Sequence, residues 1–441
     1  MRRSRRAQDE SAIAGPARHL RIGMFSESFH PVQNGVTTSL LTLTQGLRER
    51  KNHVFVFAPA HDQQPSSEAN VLRFPSFVTL FNRDYPLAYP FLPRLKLASH
   101  FDSLRLDIVH THTPFVLGLT GARMAIQRSV PLVSTFHTLY TRYSHYMPFL
   151  PESVTQMLIE RYLPWYYNRC VEIICPSAVA ENELRSLGVT QPIVVIPSGI
   201  PRPPAEAISC EARMAAREHF HLPSTAPLLL YAGRVAKEKR IDWLLEAFAL
   251  VIMQSPNAHL AIAGTGPSVE ELKNFADTLK ITAHVHFLGP QPRLLMDSLY
   301  AAADIFCFTS PTETQGLVIG EARAAGLPCV VMDSGGAPET VCHGVDGYRV
   351  SCGDTEAFSQ AILSILNNPT QSASMREAAR INSLHFTPDA MVTRVLEVYQ
   401  TAQKQPLPSD AAELTKIDSM DLTAVAEGLS EISGSGKQNG V

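Results

Sequence analysis

Apolar runs bounded by turn residues recur along this chain. Those near residues 21–26, 53–58, 107–111, 131–136, 171–175 and 193–196 read as strands, and the stretches between them carry apolar residues at helical spacing. Strands that alternate with helices in this way predict a doubly wound α/β domain on a parallel sheet. A second set, near 228–232, 259–263, 284–288, 304–308, 328–332 and 347–350, predicts another. The Pro-rich stretch Pro197–Pro204 reads as the linker between them. The expected organisation is a basic flexible start (1–20), one Rossmann-like domain (21–198), a second (199–386), an amphipathic helix (387–403) and a polar, disordered tail (404–441).

Length and composition agree with two domains. A chain of 441 residues is too long for one core, and 45% hydrophobic with 18% charged residues is an ordinary soluble balance. No uninterrupted apolar stretch approaches the roughly twenty residues of a membrane span. The first residues are basic without the apolar run of a signal peptide, so the expected location is the cytoplasm. Seven scattered cysteines fit a reducing compartment.

Charge changes the picture. Residues 1–200 carry 20 Lys and Arg against 14 Asp and Glu, and the remainder carries 18 against 27. A basic first half points to an anionic partner surface. Nucleic acid is not expected, because there is no dense basic stripe and no recognition motif. The segments Leu80–Lys96, Tyr140–Leu150 and Met157–Arg169 mix aromatics, leucines and cations as segments on an anionic membrane surface do. The same pattern also fits a buried aromatic core with a solvated rim.

Four strand ends carry candidate chemistry. Ser310-Pro-Thr-Glu313-Thr-Gln315-Gly316-Leu317-Val318-Ile-Gly-Glu321 follows a strand and opens a helix, so the free N–H groups of Gly316, Leu317 and Val318 would face anionic or sugar oxygens. Glu313 and Glu321 would then present two acceptor carboxylates at different depths of one crevice, suited to vicinal hydroxyls. Gly233-Arg234-x-x-x-x-Lys239 places two cations beyond another strand, where open α/β sheets bind ligands, and two cations there suit a diphosphate. Pro131-Leu-Val-Ser-Thr-Phe-His137-Thr138 puts a histidine at a third strand end. Asn34-Gly35 follows the first strand; Asn tolerates left-handed backbone angles, and Gly35 allows close approach of a ligand.

In these motifs and their order, residues 21 to 400 resemble the retaining glycosyltransferases of family four, which have the GT-B fold. The resemblance implies two Rossmann-like domains facing across a cleft, the first binding the acceptor and the second a nucleotide sugar, with the final helix packing back towards the first. It implies that Glu313 contacts the donor sugar, that Glu321 holds the ribose, and that Arg234 and Lys239 bind the pyrophosphate. It further implies that His137 lies close to the transferred sugar and that Gly35, Gly264, Gln315 and Gly266 belong to the donor site. Relatives often have Gly-Gly where this chain has Asn34-Gly35. The wording Glu313-Thr-Gln-Gly, with Asn34-Gly-Val-x-Thr and Phe136-His-Thr-x-Tyr, is similar to the lipid-directed branch, the diacylglycerol glucosyltransferases and sulfoquinovosyl transferases.

The expected activity is therefore retaining transfer of a hexose to a lipid such as diacylglycerol, by an enzyme peripheral on the inner face of the membrane. UDP-glucose is the favoured donor. GDP-mannose users share these motifs, and a small-molecule acceptor, a glycosidase using the two glutamates, or a silent nucleotide-sugar-binding protein stays open. No cofactor is expected. His110 and His112 hint at a metal, but no Cys, His or Asp is spaced to complete a site, and no Asp-x-Asp occurs.

Overall fold

The computed structural model describes residues 19–65, 68–79, 82–88, 94–142 and 152–415. In the first half lie β1 (Arg21–Phe25), β2 (His53–Pro59), β3 (Val71–Phe74), β4 (Ser76–Thr79), β5 (Asn82–Ala88), β6 (Ile108–Thr111), β7 (Leu132–Thr135), β8 (Glu172–Cys175) and β9 (Ile193–Val195). Seven of these form one parallel sheet in the order β3-β2-β1-β6-β7-β8-β9, while β4 and β5 pair antiparallel by themselves. The second half holds β10 (Leu228–Ala232), β11 (His259–Ala263), β12 (Val285–Gly289), β13 (Ile305–Phe308), β14 (Cys329–Met332) and β15 (Gly347–Val350), parallel in the order β12-β11-β10-β13-β14-β15.

Burial on both faces explains why these strands read as apolar runs. Ile22, Val54, Ile108 and Val133 in the first sheet, and Leu229, Leu260, Ile305 and Val330 in the second, are fully buried. Each such side chain contributes about 1.5–3 kcal/mol. Strand β3 carries no such signal. It lies at the sheet edge, with Arg73 paired to Glu68 at 2.7 Å and donating to the Pro59 carbonyl at 3.0 Å. Winding reverses between β1 and β6 in one sheet and between β10 and β13 in the other, and the loops leaving those strand ends open the crevices where such sheets bind ligands.

The helix Pro388–Ala402 lies against the first domain. Met391, Val392, Val395 and Tyr399 share a buried cluster with Ile22, Leu40 and Val54. A Cβ on Gly46 of the helix Gly35–Glu49 would come within 2.6 Å of Val392. Arg50 pairs with Asp389 and donates to Thr393 at 2.7 Å.

Two expectations are corrected beyond this helix. Residues 404–415, read as the start of a disordered tail, dock on the first domain: Ala411 and Leu414 are buried, Arg123 donates to the Leu414 carbonyl at 2.8 Å, and Arg169 pairs with Glu413 and, at 3.3 Å, with Asp410. A polar composition suffices here because the acidic residues meet cations already fixed on the domain. Residues 1–18 and 416–441 lie outside the described residues.

The second correction concerns the membrane segments. Of Leu80–Lys96, residues 82–88 and 94–96 are described, in β5 and the helix Arg94–Leu104, and Tyr140–Leu150 falls mostly outside the described residues; in Met157–Arg169, Met157 is exposed but Leu163, Tyr166 and Tyr167 are buried, with Tyr162 and Trp165 packed against them. Tyr140 is buried with them, and Arg142 donates to the Pro311 carbonyl of the other domain at 2.6 Å. Among the described residues no helix is long and apolar enough to cross a membrane.

Candidate active site between the two domains

On the second domain, the chain leaves β10 through Gly233 (φ +145) and β11 through Gly264 (φ +150). A Cβ on Gly264 would sit 1.8 Å from the Gly233 carbonyl oxygen, and one on Gly266 would sit 2.2 Å from that of Val235. These two glycines, expected in the donor site, are bare because one loop packs on the backbone of the next. The loop they support presents Arg234, whose carbonyl accepts from the Tyr231 hydroxyl at 3.0 Å. Its Nη2 is buried without a hydrogen-bond partner. A buried guanidinium donor left unpaired is costly, and an anion would satisfy it.

Lys239 closes a short 3-10 turn, Lys237–Lys239, and its carbonyl accepts from Thr309 at the end of β13. Its ammonium donates to Glu313 Oε1 at 2.6 Å, so the two strand ends at the switch point are joined by an ion pair between two expected site residues. Lys237 and Arg240 are exposed, and Arg240 pairs with Asp242.

The helix Leu317–Ala324 starts after Gly316, held at φ +78, and no side chain caps its N-terminus. Glu321, within this helix, is buried, and both its oxygens are engaged: the Tyr300 hydroxyl donates to one at 2.8 Å and Arg293 to the other. Arg293 is half exposed. Neither partner was singled out from the sequence: Tyr300 lies within the helix Arg293–Ala302, and Arg293, which opens it four residues after β12, belongs to none of the motifs.

Gln315 bonds to Ser198. Expected on the donor, it is buried at the domain junction, where its Oε1 accepts from the Ser198 amide at 2.9 Å and its Nε2 donates to the Ser198 carbonyl at 3.4 Å. Its neighbour Thr314 donates to the carbonyl of His137 at 2.8 Å, again across the junction. Glu339 accepts from the amides of Ala178 and Val179, both at 2.8 Å, at the start of a first-domain helix.

On the first domain, Asn34 is extended (φ −158, ψ 177), so its tolerance of left-handed angles is not used, and it caps the helix Gly35–Glu49. Its Oδ1 accepts from the Thr37 amide at 2.8 Å and its Nδ2 donates to Ser28 at 2.7 Å. Gly35 faces the second domain, with Leu317 Cδ1 3.7 Å from the Cβ it lacks. Beyond β1, Glu27 is buried with its Oε1 accepting from the Leu117 amide and its Oε2 unpaired; burial pushes its carboxyl up to about 7.

His137, beyond β7, is partly exposed, and its Nε2 lies 3.0 Å from Nδ1 of His112 at the neighbouring strand end. His110, two residues earlier on the same strand face, joins Thr135 and Tyr399, each at 2.7 Å. Burial holds His137 down near 4 and His110 near 3, and it pushes His112 well below the ordinary imidazole value, so all three are neutral near pH 7. The His110–His112 pair that hinted at a metal is thus part of an imidazole row. Among the described residues no three His, Cys, Asp or Glu side chains are grouped to hold a metal.

Two parallel-sheet domains whose switch points meet, one bearing cations and an uncapped helix start and the other a histidine, have the architecture of the GT-B glycosyltransferases. Comparison with known proteins agrees. The family description "Glycosyltransferase Family 4" matches residues 33–202, and "Glycosyl transferases group 1" matches residues 213–382. The chain is 32% identical over 318 residues to an alpha-monoglucosyldiacylglycerol synthase of Streptococcus pneumoniae, covering 70% of each chain. It is 29% identical over 373 residues to one of Acholeplasma laidlawii, covering 82% of this chain and 92% of the relative. Among solved structures, the Anabaena protein HepE in complex with UDP superposes with a TM-score of 0.69 at 21% identity, over 86% of this chain and 99% of that one. The chain belongs to the family-four, group 1 glycosyltransferases.

Proposed function

We propose that this glycosyltransferase moves a hexose, glucose from UDP-glucose in the first instance, to the hydroxyl of a membrane lipid such as diacylglycerol, with retention of the α configuration. One observation carries the donor half: the buried, unpaired Nη2 of Arg234 in the same strand-end loop as Lys239. Together these cations would hold the diphosphate and stabilise the charge that develops as the sugar C1–O bond breaks. The acceptor oxygen bonds to C1 on the same face, and the departing phosphate oxygen takes its proton. Glu313, shared with Lys239, orients the sugar. Glu321 takes the ribose hydroxyls once Arg293 gives way, and His137 lies at the reacting face. The cationic pair does the work a metal would do on the diphosphate, so we propose a metal-independent enzyme without a cofactor.

The lipid half is supported by the two synthases named above, whose products are diacylglycerol glycosides. A glycosidase fits less well, because both glutamates are held by cations, whereas its acid needs surroundings that keep it protonated. The test is a screen of UDP- and GDP-sugars against membrane lipids, following released nucleotide and extracting the product. Release of UDP with an α-glucosyl lipid is the expected result. GDP release would make the enzyme a mannosyltransferase, transfer to a soluble acceptor alone would remove the lipid, and nucleotide binding without turnover would leave a binding protein.

A further inference from the structure

His112 has no place in the function argued so far, yet it is buried in the imidazole row between His110 and His137. It is 1% exposed, its Nδ1 is 3.0 Å from His137 Nε2, and its own Nε2 is buried without a partner. The rings lie 5.3 Å apart, nearly parallel at 25°. Parallel pairing of β6 with β7 brings them together, since His110 and Thr111 sit beside Val133 and Ser134 and the next residues of both strands run into the cleft.

A neutral pair of imidazoles with one contact admits two arrangements of protons. If His137 Nε2–H donated, His112 would carry its remaining proton on Nε2 as a buried N–H with nothing to receive it. If His112 Nδ1–H donates, the orphan is only a bare lone pair. Unpaired buried N–H groups are rarer in proteins than unpaired acceptors, so the second arrangement is favoured. His137 then holds its proton on Nδ1, the ring edge turned away from His112, and that edge has no partner among the described residues.

We propose that His112 is a positioning residue that fixes His137 as the Nδ1–H tautomer, so that the group offered to the substrate is a neutral hydrogen-bond donor. Such a donor suits a sugar hydroxyl or the leaving oxygen, where a bare nitrogen would repel the oxygen lone pairs. This rests on the reading of His137 as a residue at the transferred sugar. The assignment of the tautomer itself does not.

Histidine-selective 15N NMR of the full chain, with His137→Gln to assign the signal, reads the tautomer directly. A protonated Nδ1 and bare Nε2 on His137 are expected, and a proton on Nε2 would overturn the proposal even if the enzyme is fully active. Turnover then separates positioning from packing. His112→Ala should mix the two tautomers and lower kcat on the order of 10–100-fold, the usual effect of removing an outer hydrogen-bond partner, with nucleotide affinity unchanged. His112→Asn, whose amide N–H can stand where Nδ1–H stood, should restore most of the rate. Unchanged kcat in His112→Ala, or loss in both variants with a single retained tautomer, would contradict the proposal. A wild-type enzyme that transfers no sugar would refute the proposed function and leave the NMR result to stand by itself.

Discussion

Lys239 and Glu313 engage each other at 2.6 Å where a donor would engage both, and this pairing keeps two opposite charges ready where the loops beyond β10 and β13 meet. Their chemistry was legible in the sequence because each lies in the loop that follows an apolar strand. The roles of Gln315 and Asn34 were not. Gln315 is held by Ser198, 117 positions away, a contact that no local pattern encodes, whereas Asn34 caps its own helix, a local signal that its reading as a left-handed loop residue passed over. Gly264 and Gly266 were legible as glycines, but the loop backbone that excludes a side chain from each was not. At this scale the expectation is that Lys239→Ala and Glu313→Gln each lower turnover by about 10²–10³, the usual loss for one contact to transition-state charge, with little change in melting temperature. Steady-state kinetics and a thermal melt measure both, and near-normal turnover would remove that residue from the site.

Elements crossing the domain junction were the hardest to anticipate. The helix Pro388–Ala402 could be read from its periodicity, but the segment that follows could not, because its anchors are one small and one large apolar residue among polar ones. Ala411 and Leu414 are buried, and the acidic residues around them meet Arg169. Ending the chain at residue 403 should therefore lower the melting temperature, with burial of Leu414 alone contributing about 1.5–3 kcal/mol. Calorimetry of the shortened protein checks this, and an unchanged melt would mean the segment adds nothing. The strand-end histidines give a second expectation. Held near 3 and 4 in the fold, His110 and His137 take up protons more readily in the unfolded chain, whose imidazoles titrate near 6.5. Their contribution to stability is complete above about pH 6.5 and is lost as pH falls towards 4. Glu27, raised to about 7, acts in the opposite sense, its contribution falling as pH rises from 4.5 to 7, but it is one group against three histidines, two of them fully buried. Melting temperature should thus drop between pH 6.5 and 4.5, less steeply in His110→Asn, and a flat profile would contradict neutral burial of the row.

For the whole molecule, twelve apolar runs sufficed to expect two doubly wound domains, because strands covered on both faces must be apolar throughout. The sheet order, and with it the meeting of the β1/β6 crevice with the β10/β13 crevice, depends on winding that the sequence does not display. That meeting is what turns separate motifs into one cleft, with Thr314 bonded to His137 and Gly35 facing Leu317. The central claim is that the cations on the second domain's face of this cleft hold a nucleotide diphosphate without a metal. Calorimetric titration of the full chain with UDP in excess chelator tests it most directly. The account predicts binding at one site per chain, lost or weakened at least about tenfold in Arg234→Ala, since a charge-assisted hydrogen bond contributes about 1.5–3 kcal/mol. Equal binding by that variant, or binding that returns only when a divalent metal is supplied, would contradict it.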